Sequence, residues 1–151
     1  METKTEIIEL FKSRLADVNG EAIDCASESQ AAEIIARIAK DTGAKSIIFA
    51  PGAIATSVAR FIEPTPNVVA RFIGQDSIEN AVSLASEAGI GVTDAAYCIA
   101  NTGSVFVAGG RPARVASLLP PINVVLLRNN SILPDISELL DKKDTFDADA
   151  V

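Results

Sequence analysis

The sequence predicts an α/β fold with three layers: a mainly parallel sheet flanked by helices, with an antiparallel hairpin beside it. Helical and strand patterns alternate through the first half of the chain, as they do in folds with a parallel sheet. Apolar residues fall in many short runs of Ala, Ile and Val, which is typical of buried parallel strands. Two later strand patterns are separated by three residues ending in glycine, a common hairpin connection.

Each element of the first half has its own signal. Ser27-Glu28-Ser29-Gln30 forms a capping box that predicts a helix start, and Gly43 is the expected end of that helix. In chain order the predicted elements are a helix at Thr5–Val18, a short strand at Glu21–Asp24, a helix from Ser27 to Gly43, a strand at Lys45–Ala50, a helix at Ala53–Phe61, a strand at Val68–Phe72 and a helix opened by Asp76-Ser77 and closed by Gly89.

The second half departs from this alternation. Its predicted elements are hairpin strands at Ala95–Ala100 and Ser104–Val107, a helix at Ala113–Leu118, a strand at Ile122–Leu127, and a helix at Ile136–Lys142 capped by Asp135. We expect residues 1–143 to form one domain and the acidic segment Asp144–Val151 to be a frayed tail. No apolar run is long enough to span a membrane and the N-terminus lacks a signal-peptide pattern, so a cytoplasmic protein is expected.

Composition excludes several classes of site. The chain has no histidine, which rules out histidine-based catalytic triads and ordinary zinc sites. Its two cysteines, Cys25 and Cys98, are too few for an iron–sulfur cluster, which usually needs four thiolates. We therefore expect no cofactor on this chain alone. A net charge of −7 argues against nucleic acid and anionic membranes as partners, although it leaves a small anion open.

Two predicted loops carry candidate ligand residues. Pro51 and Gly52 follow a strand, while Thr93 and Asp94 end a glycine-containing loop that follows a helix. Exposed backbone N–H groups near a helix N-terminus suit phosphate or carboxylate. The competing interpretation of Pro51-Gly52 is an ordinary strand-to-helix turn, which the residues by themselves favour. Asp94 is either a buried base or orienting group or a turn residue.

Two further candidates lie later in the chain. Arg111 follows a glycine pair at a helix start, where a guanidinium can clamp a carboxylate with two hydrogen bonds. The segment from Asn101 to Ser104 has two interpretations. It is either a hairpin turn whose Asn and Gly supply positive φ angles, or a site where the Thr102 and Ser104 hydroxyls and the Gly103 N–H face a ligand oxyanion. Spacing alone favours the turn.

A family resemblance bears on this choice. The run from Gly91 to Val105, then Arg114, Leu118-Leu119-Pro120 and the strand Ile122–Leu127, resembles the LUD domain, the family of lactate utilization protein C. The resemblance implies a fold similar to glucosamine-6-phosphate deaminase, ribose-5-phosphate isomerase and the CoA transferases. It also implies a role beside iron–sulfur oxidoreductase subunits that oxidise L-lactate to pyruvate, with the clusters on those partners. Asn101 departs from the family pattern, which usually has an acid there, and two later family motifs are absent.

Two alternative functions stay open. The first is a free-standing enzyme or sensor that binds a small phosphorylated or CoA-like anion. Its expected pocket is formed by Pro51, Gly52, Thr93, Asp94, Asn101, Thr102, Gly103, Ser104 and Arg111. The second is a self-associating domain, a homo-oligomer with a degenerate site. A sugar-phosphate deaminase is disfavoured because the histidine of its signature is missing.

Overall fold

The computed structural model describes residues 3–62, 66–74 and 77–141, which form two compact units. The hairpin unit comprises residues 1–24, 95–107 and 127–151, and the sheet unit comprises residues 25–94 and 108–126, in each case as far as they are described. The elements are α1 (Lys4–Asp17), α2 (Glu28–Thr42), β1 (Ser46–Phe49), α3 (Ala53–Ile62), β2 (Val69–Phe72), α4 (Ile78–Glu87), β3 (Ile90–Ile99), β4 (Ser104–Val107), α5 (Gly110–Leu118), β5 (Ile122–Leu126), a 3₁₀ turn (Asn129–Ser131), β6 (Ile132–Leu133) and α6 (Ile136–Asp141).

The sheet unit contains a sheet of four parallel strands in the order β2-β1-β3-β5. One face carries Ile47 and Phe49 of β1 and Val92 of β3, which pack in one core with α2 and α3. On the other face Gly91 lies against α5, because a Cβ there would collide with the backbone of Ala116. Since α4 packs beside α5, helices cover both faces and the unit has three layers.

The hairpin unit contains the second half of β3. Ala95–Ile99 pairs antiparallel with β4, with a register irregularity between Ala95 and Tyr97, and parallel with β6. Phe11 of α1 packs with Cys98 in one small core, and Leu139 of α6 packs with Ile99 in another. The predicted hairpin is therefore confirmed, and so is the α/β class with a mostly parallel sheet flanked by helices.

Local capping explains where several helices begin and end. Ser27 accepts a hydrogen bond from the Gln30 N–H, as the capping box predicts, but the Gln30 side chain accepts from the Ala26 N–H instead of reaching Ser27. Gly43 ends α2 at a φ of 75°, a left-handed conformation that glycine adopts without strain. Ser77 caps α4 through the Asn80 N–H. The other residue predicted to open α4, Asp76, lies outside the described residues.

Three predicted elements differ from the structure. Residues 21–24 form no strand, and Asp24 instead pairs with Lys12 of α1 at 2.5 Å. The segment Ile90–Asp94, predicted as a loop, is the parallel half of β3, because it is buried and pairs with β1 on one side and β5 on the other. Helix α5 begins at Gly110, earlier than the predicted Ala113.

Two predictions fall at or beyond the described ranges. The frayed tail predicted at Asp144–Val151 lies outside them, as does the last residue of the predicted final helix. Within residues 3–62, 66–74 and 77–141, no helix is both long and apolar enough to cross a membrane.

Candidate functional site

Several predicted site residues meet at the carboxyl edge of the parallel sheet. A Cβ on Gly52 would lie 2.6 Å from the Asp94 carboxyl carbon, so these two residues are in direct contact. A Cβ on Gly109 would lie 3.1 Å from the Pro51 carbonyl oxygen, which places the start of α5 at the same edge. Pro51, Gly52 and Asp94 are three of the residues expected to line one pocket, although the sequence placed Asp94 in a loop that follows a helix.

The Asp94 side chain binds the N-terminus of α3. Its Oδ2 accepts a hydrogen bond from the Ile54 N–H and its Oδ1 accepts one from the Ala55 N–H, each at 2.9 Å. The side chain is 7% exposed, so these bonds form largely out of water. A carboxylate at this position offsets the positive end of the helix dipole as an N-cap residue does.

This geometry changes how the Pro51-Gly52 turn is interpreted. The sequence suggested that a phosphate or carboxylate ligand binds the N–H groups after this turn, but a carboxylate of the chain itself accepts two of them. Glycine is needed at position 52 because any side chain there would strike the Asp94 carboxylate. Asp94 is thus a buried strand residue that caps α3 and not a turn residue, whereas a role as a base or orienting group for a ligand stays a prediction.

Thr93 lies on the opposite face of β3 from Asp94, because successive side chains of a strand alternate. It is fully buried, and its hydroxyl is the one buried side-chain polar atom without a hydrogen-bond partner in the described parts of the chain. A buried, unpaired hydroxyl costs stability, so this atom calls for an explanation. Thr93 does not lie in a loop, as the sequence suggested.

Arg111 lies in the first turn of α5. The preceding residues, Gly109 and Gly110, have φ angles of 111° and 64°, which residues with a side chain rarely adopt. Gly109 is the N-cap residue and provides no side-chain hydrogen bond, and the first turn contains no acidic residue. Arg111 is exposed, and the N-cap residue of α5 provides no side chain that accepts a hydrogen bond from the first-turn N–H groups.

The remaining predicted residues belong to the hairpin unit. Gly103 has a φ of 69° and its N–H donates to the Ile99 carbonyl at 2.9 Å, so this N–H does not face a ligand oxyanion. The Thr102 and Ser104 hydroxyls hydrogen-bond each other at 2.8 Å and are exposed. Asn101 is also exposed, and its backbone N–H donates to the Pro134 carbonyl at 3.2 Å. Of the two residues expected to supply positive φ, only Gly103 does so.

Glycine at position 103 also allows the turn to pack closely against α1. A Cβ on it would lie 2.8 Å from backbone atoms of Arg14 and Leu15 in α1. The turn interpretation therefore accounts for this glycine fully, while the two hydroxyls remain candidates for a ligand. No sequence signal pointed to α1 as the neighbour, because this contact joins segments far apart in the chain.

The two thiols differ sharply in environment. Burial raises the pKa of the Cys98 thiol from 9.0 to about 12, so it stays protonated and unreactive near neutral pH. Cys25 is exposed. Among the residues that the structure describes, no three His, Cys, Asp or Glu side chains are grouped so as to hold a metal ion.

Comparison with known proteins identifies the family to which the chain is similar. Residues 8–149 match the family model of the LUD domain. The uncharacterized protein YkgG of Escherichia coli (strain K12) is 28% identical over 130 residues, which cover 84% of this chain and 55% of that protein. The chain therefore spans about half the length of this curated relative. No solved structure matches the chain, and the likeness to the deaminase, isomerase and CoA transferase fold stays a prediction.

Proposed function

The chain belongs to the LUD domain family, and we propose that it is a non-redox component of L-lactate oxidation to pyruvate that works beside iron–sulfur oxidoreductase partners. The observation that carries this proposal is the family match over residues 8–149, since the family is associated with lactate utilization. The partners and the reaction are our inference from that association.

The chemistry of the reaction indicates why partners are needed. Converting a 2-hydroxy acid into a 2-oxo acid removes two electrons and two protons, so a redox centre must accept the electrons. This chain has two cysteines, fewer than the four thiolates that an iron–sulfur cluster usually requires. One of them, Cys98, is buried in an apolar core. We therefore expect the clusters on partner subunits and a binding or assembly role for this chain.

Genetics tests the proposal directly. Deleting the gene from its native host should abolish growth on L-lactate as the sole carbon source and leave growth on pyruvate unchanged, because pyruvate enters after the proposed step. A plasmid copy of the gene should restore growth. L-lactate-dependent dye reduction in cell extracts should fall in parallel. Normal growth and normal dye reduction in the deletion strain would contradict the proposal.

The structure also suggests where variants should be placed in the plasmid copy. Asp94→Asn weakens the anchoring of α3, whereas Arg37→Gln changes an exposed residue of α2. If an ordered carboxyl edge matters for the role, the first variant should complement poorly and the second should complement fully, at equal protein levels on an immunoblot. Equal complementation by both would remove this edge from the proposed role.

A second candidate is a free-standing protein that binds a small anion. The observation that favours it is the start of α5, where Arg111 lies beside N–H groups that no α5 side chain caps. Under this alternative the purified chain binds its ligand alone, and the deletion strain grows normally on L-lactate. Homo-oligomer formation stays a prediction that light scattering of the purified chain can test.

A further inference from the structure

We propose that the first turn of α5, opened by Gly109-Gly110 and carrying Arg111, is a binding site for a small oxyanion. The shared chemistry is that of a carboxylate or an inorganic phosphate, and the Thr93 hydroxyl beneath the turn is the second polar group of the site. The inference deepens the second candidate function, on which it rests, because it names the residues and the ligand chemistry of that site.

The start of α5 has the electrostatics that an anion requires. The first N–H groups of a helix lack partners within the helix and carry roughly half a positive charge. In α1, α2 and α4 a Thr or Ser side chain accepts one of these N–H groups, and in α3 Asp94 does so. At α5 the N-cap residue is Gly109, which has no side chain to do this.

The unpaired Thr93 hydroxyl is an independent observation, and the register of the sheet locates it. Gly91 lies on the same strand face and contacts the Ala116 backbone of α5. Thr93 is two residues further toward the carboxyl edge, which is about 6.6 Å along the strand. Because α5 runs from the carboxyl edge back to the start of β5, that distance corresponds to about four residues of helix, at a 1.5 Å rise, before Ala116. Thr93 therefore lies under the first turn, near Arg111 and Pro112.

Arg111 supplies the formal charge. Arg111 is exposed and belongs to that same first turn, and a guanidinium can donate two parallel hydrogen bonds to a carboxylate or a phosphate. No acidic residue lies in the first turn to compete for it. Helix α3 also begins at this edge, but Asp94 accepts its Ile54 and Ala55 N–H groups. Helix α4 begins there too, after β2, and Ser77 accepts its Asn80 N–H.

The test is isothermal titration calorimetry on the purified full chain with L-lactate, pyruvate and inorganic phosphate in separate titrations. We expect at least one of them to bind. Arg111→Gln should weaken that binding about tenfold or more, since it removes a charge-assisted hydrogen bond. Arg37→Gln removes the same charge from α2 and should leave the affinity unchanged.

Thr93→Val provides a second, independent variant. It keeps the shape of the side chain and removes a hydroxyl that has no partner in the described chain. We expect its melting temperature without ligand to stay the same or rise, while its affinity for the ligand falls. If Thr93 had a purely structural role, the substitution would change the melting temperature and leave the affinity for the ligand unchanged.

The titrations distinguish a carboxylate ligand from phosphate, and each of them can also overturn the inference. Binding of the organic acids without phosphate identifies a carboxylate ligand, and the reverse identifies phosphate. Absence of binding by all three at millimolar concentration would overturn the inference, and so would equal affinities of wild type and Arg111→Gln, or equal losses in Arg111→Gln and Arg37→Gln. Calorimetry is independent of the growth phenotype, so failure of the site and failure of the proposed function are distinguishable.

Discussion

The contact of Asp94 with Gly52 makes a quantitative prediction about stability. Asp94→Ala removes two hydrogen bonds from a carboxylate to backbone N–H groups of α3. The Ala55 N–H is buried and would be left without this acceptor, whereas the partly buried Ile54 N–H is closer to water. Combining the loss of a helix cap with the cost of a buried unpaired donor, we expect a loss of about 2–4 kcal/mol in the free energy of unfolding.

Gly52→Ala perturbs the same contact from the other side. Its methyl group would lie 2.6 Å from the Asp94 carboxyl carbon, and it would either displace the carboxylate or shift the turn. Such overpacking costs about 1–3 kcal/mol. In an Asp94→Ala background the carboxylate is gone and the nearest remaining atom, the Cβ at position 94, is 3.1 Å away. Most of the cost of Gly52→Ala should then vanish, with a coupling free energy of about 1–2 kcal/mol.

Urea unfolding followed by far-ultraviolet circular dichroism measures all four proteins of this cycle, with slopes checked for equality. Arg37→Gln on the exposed side of α2 is the control and should change stability by less than about 0.5 kcal/mol. The reasoning is refuted if Gly52→Ala costs the same in both backgrounds. It is also refuted if Asp94→Ala is as mild as the control.

Two further predictions concern glycine conformation and thiol chemistry. Gly43→Ala and Gly103→Ala both place a side chain at positive φ, but only Gly103 is crowded by backbone, so its substitution should cost about 1–3 kcal/mol more in urea unfolding. Equal costs would contradict the contact with α1. In the native protein a thiol reagent should modify Cys25 quickly and Cys98 only after unfolding. Because the folded Cys98 thiol stays protonated to about pH 12 whereas the unfolded one ionises near 9.0, stability should fall as pH rises above 9.0, and Cys98→Ala should reduce that fall.

Local patterns predicted most of the helices and the strands β1, β2, β4 and β5. The capping box at Ser27 and the glycine at position 43 mark the ends of α2 correctly, because both act through hydrogen bonds and φ angles within a few residues. The segment Ile90–Asp94 was predicted wrongly. Its glycine and polar residues are typical of a loop, but pairing with strands on both sides and the close approach of α5 at Gly91 make it a central strand.

For the candidate site, too, the sequence predicted part of the arrangement and missed the contacts between residues far apart in the chain. Sequence alone placed Pro51, Gly52 and Asp94 in one expected pocket, but it put Asp94 in a loop after a helix and not in a strand that reaches the carboxyl edge. It did not identify the Asp94 carboxylate as the group that binds the start of α3, since the two are 40 residues apart and no local pattern links them. It also did not reveal that the Thr93 hydroxyl is buried and unpaired.

The pattern of residues along the chain is enough to predict the alternation of helices and strands, the hairpin, most helix ends and the family. These follow from periodicity, short-range hydrogen bonds and a motif that can be read along the chain. Long-range packing determines that the start of α3 binds a carboxylate of the chain itself, whereas the start of α5 has no capping side chain. This difference depends on the register of β3 between its neighbours, which directs Asp94 toward α3 and Thr93 toward the opposite face.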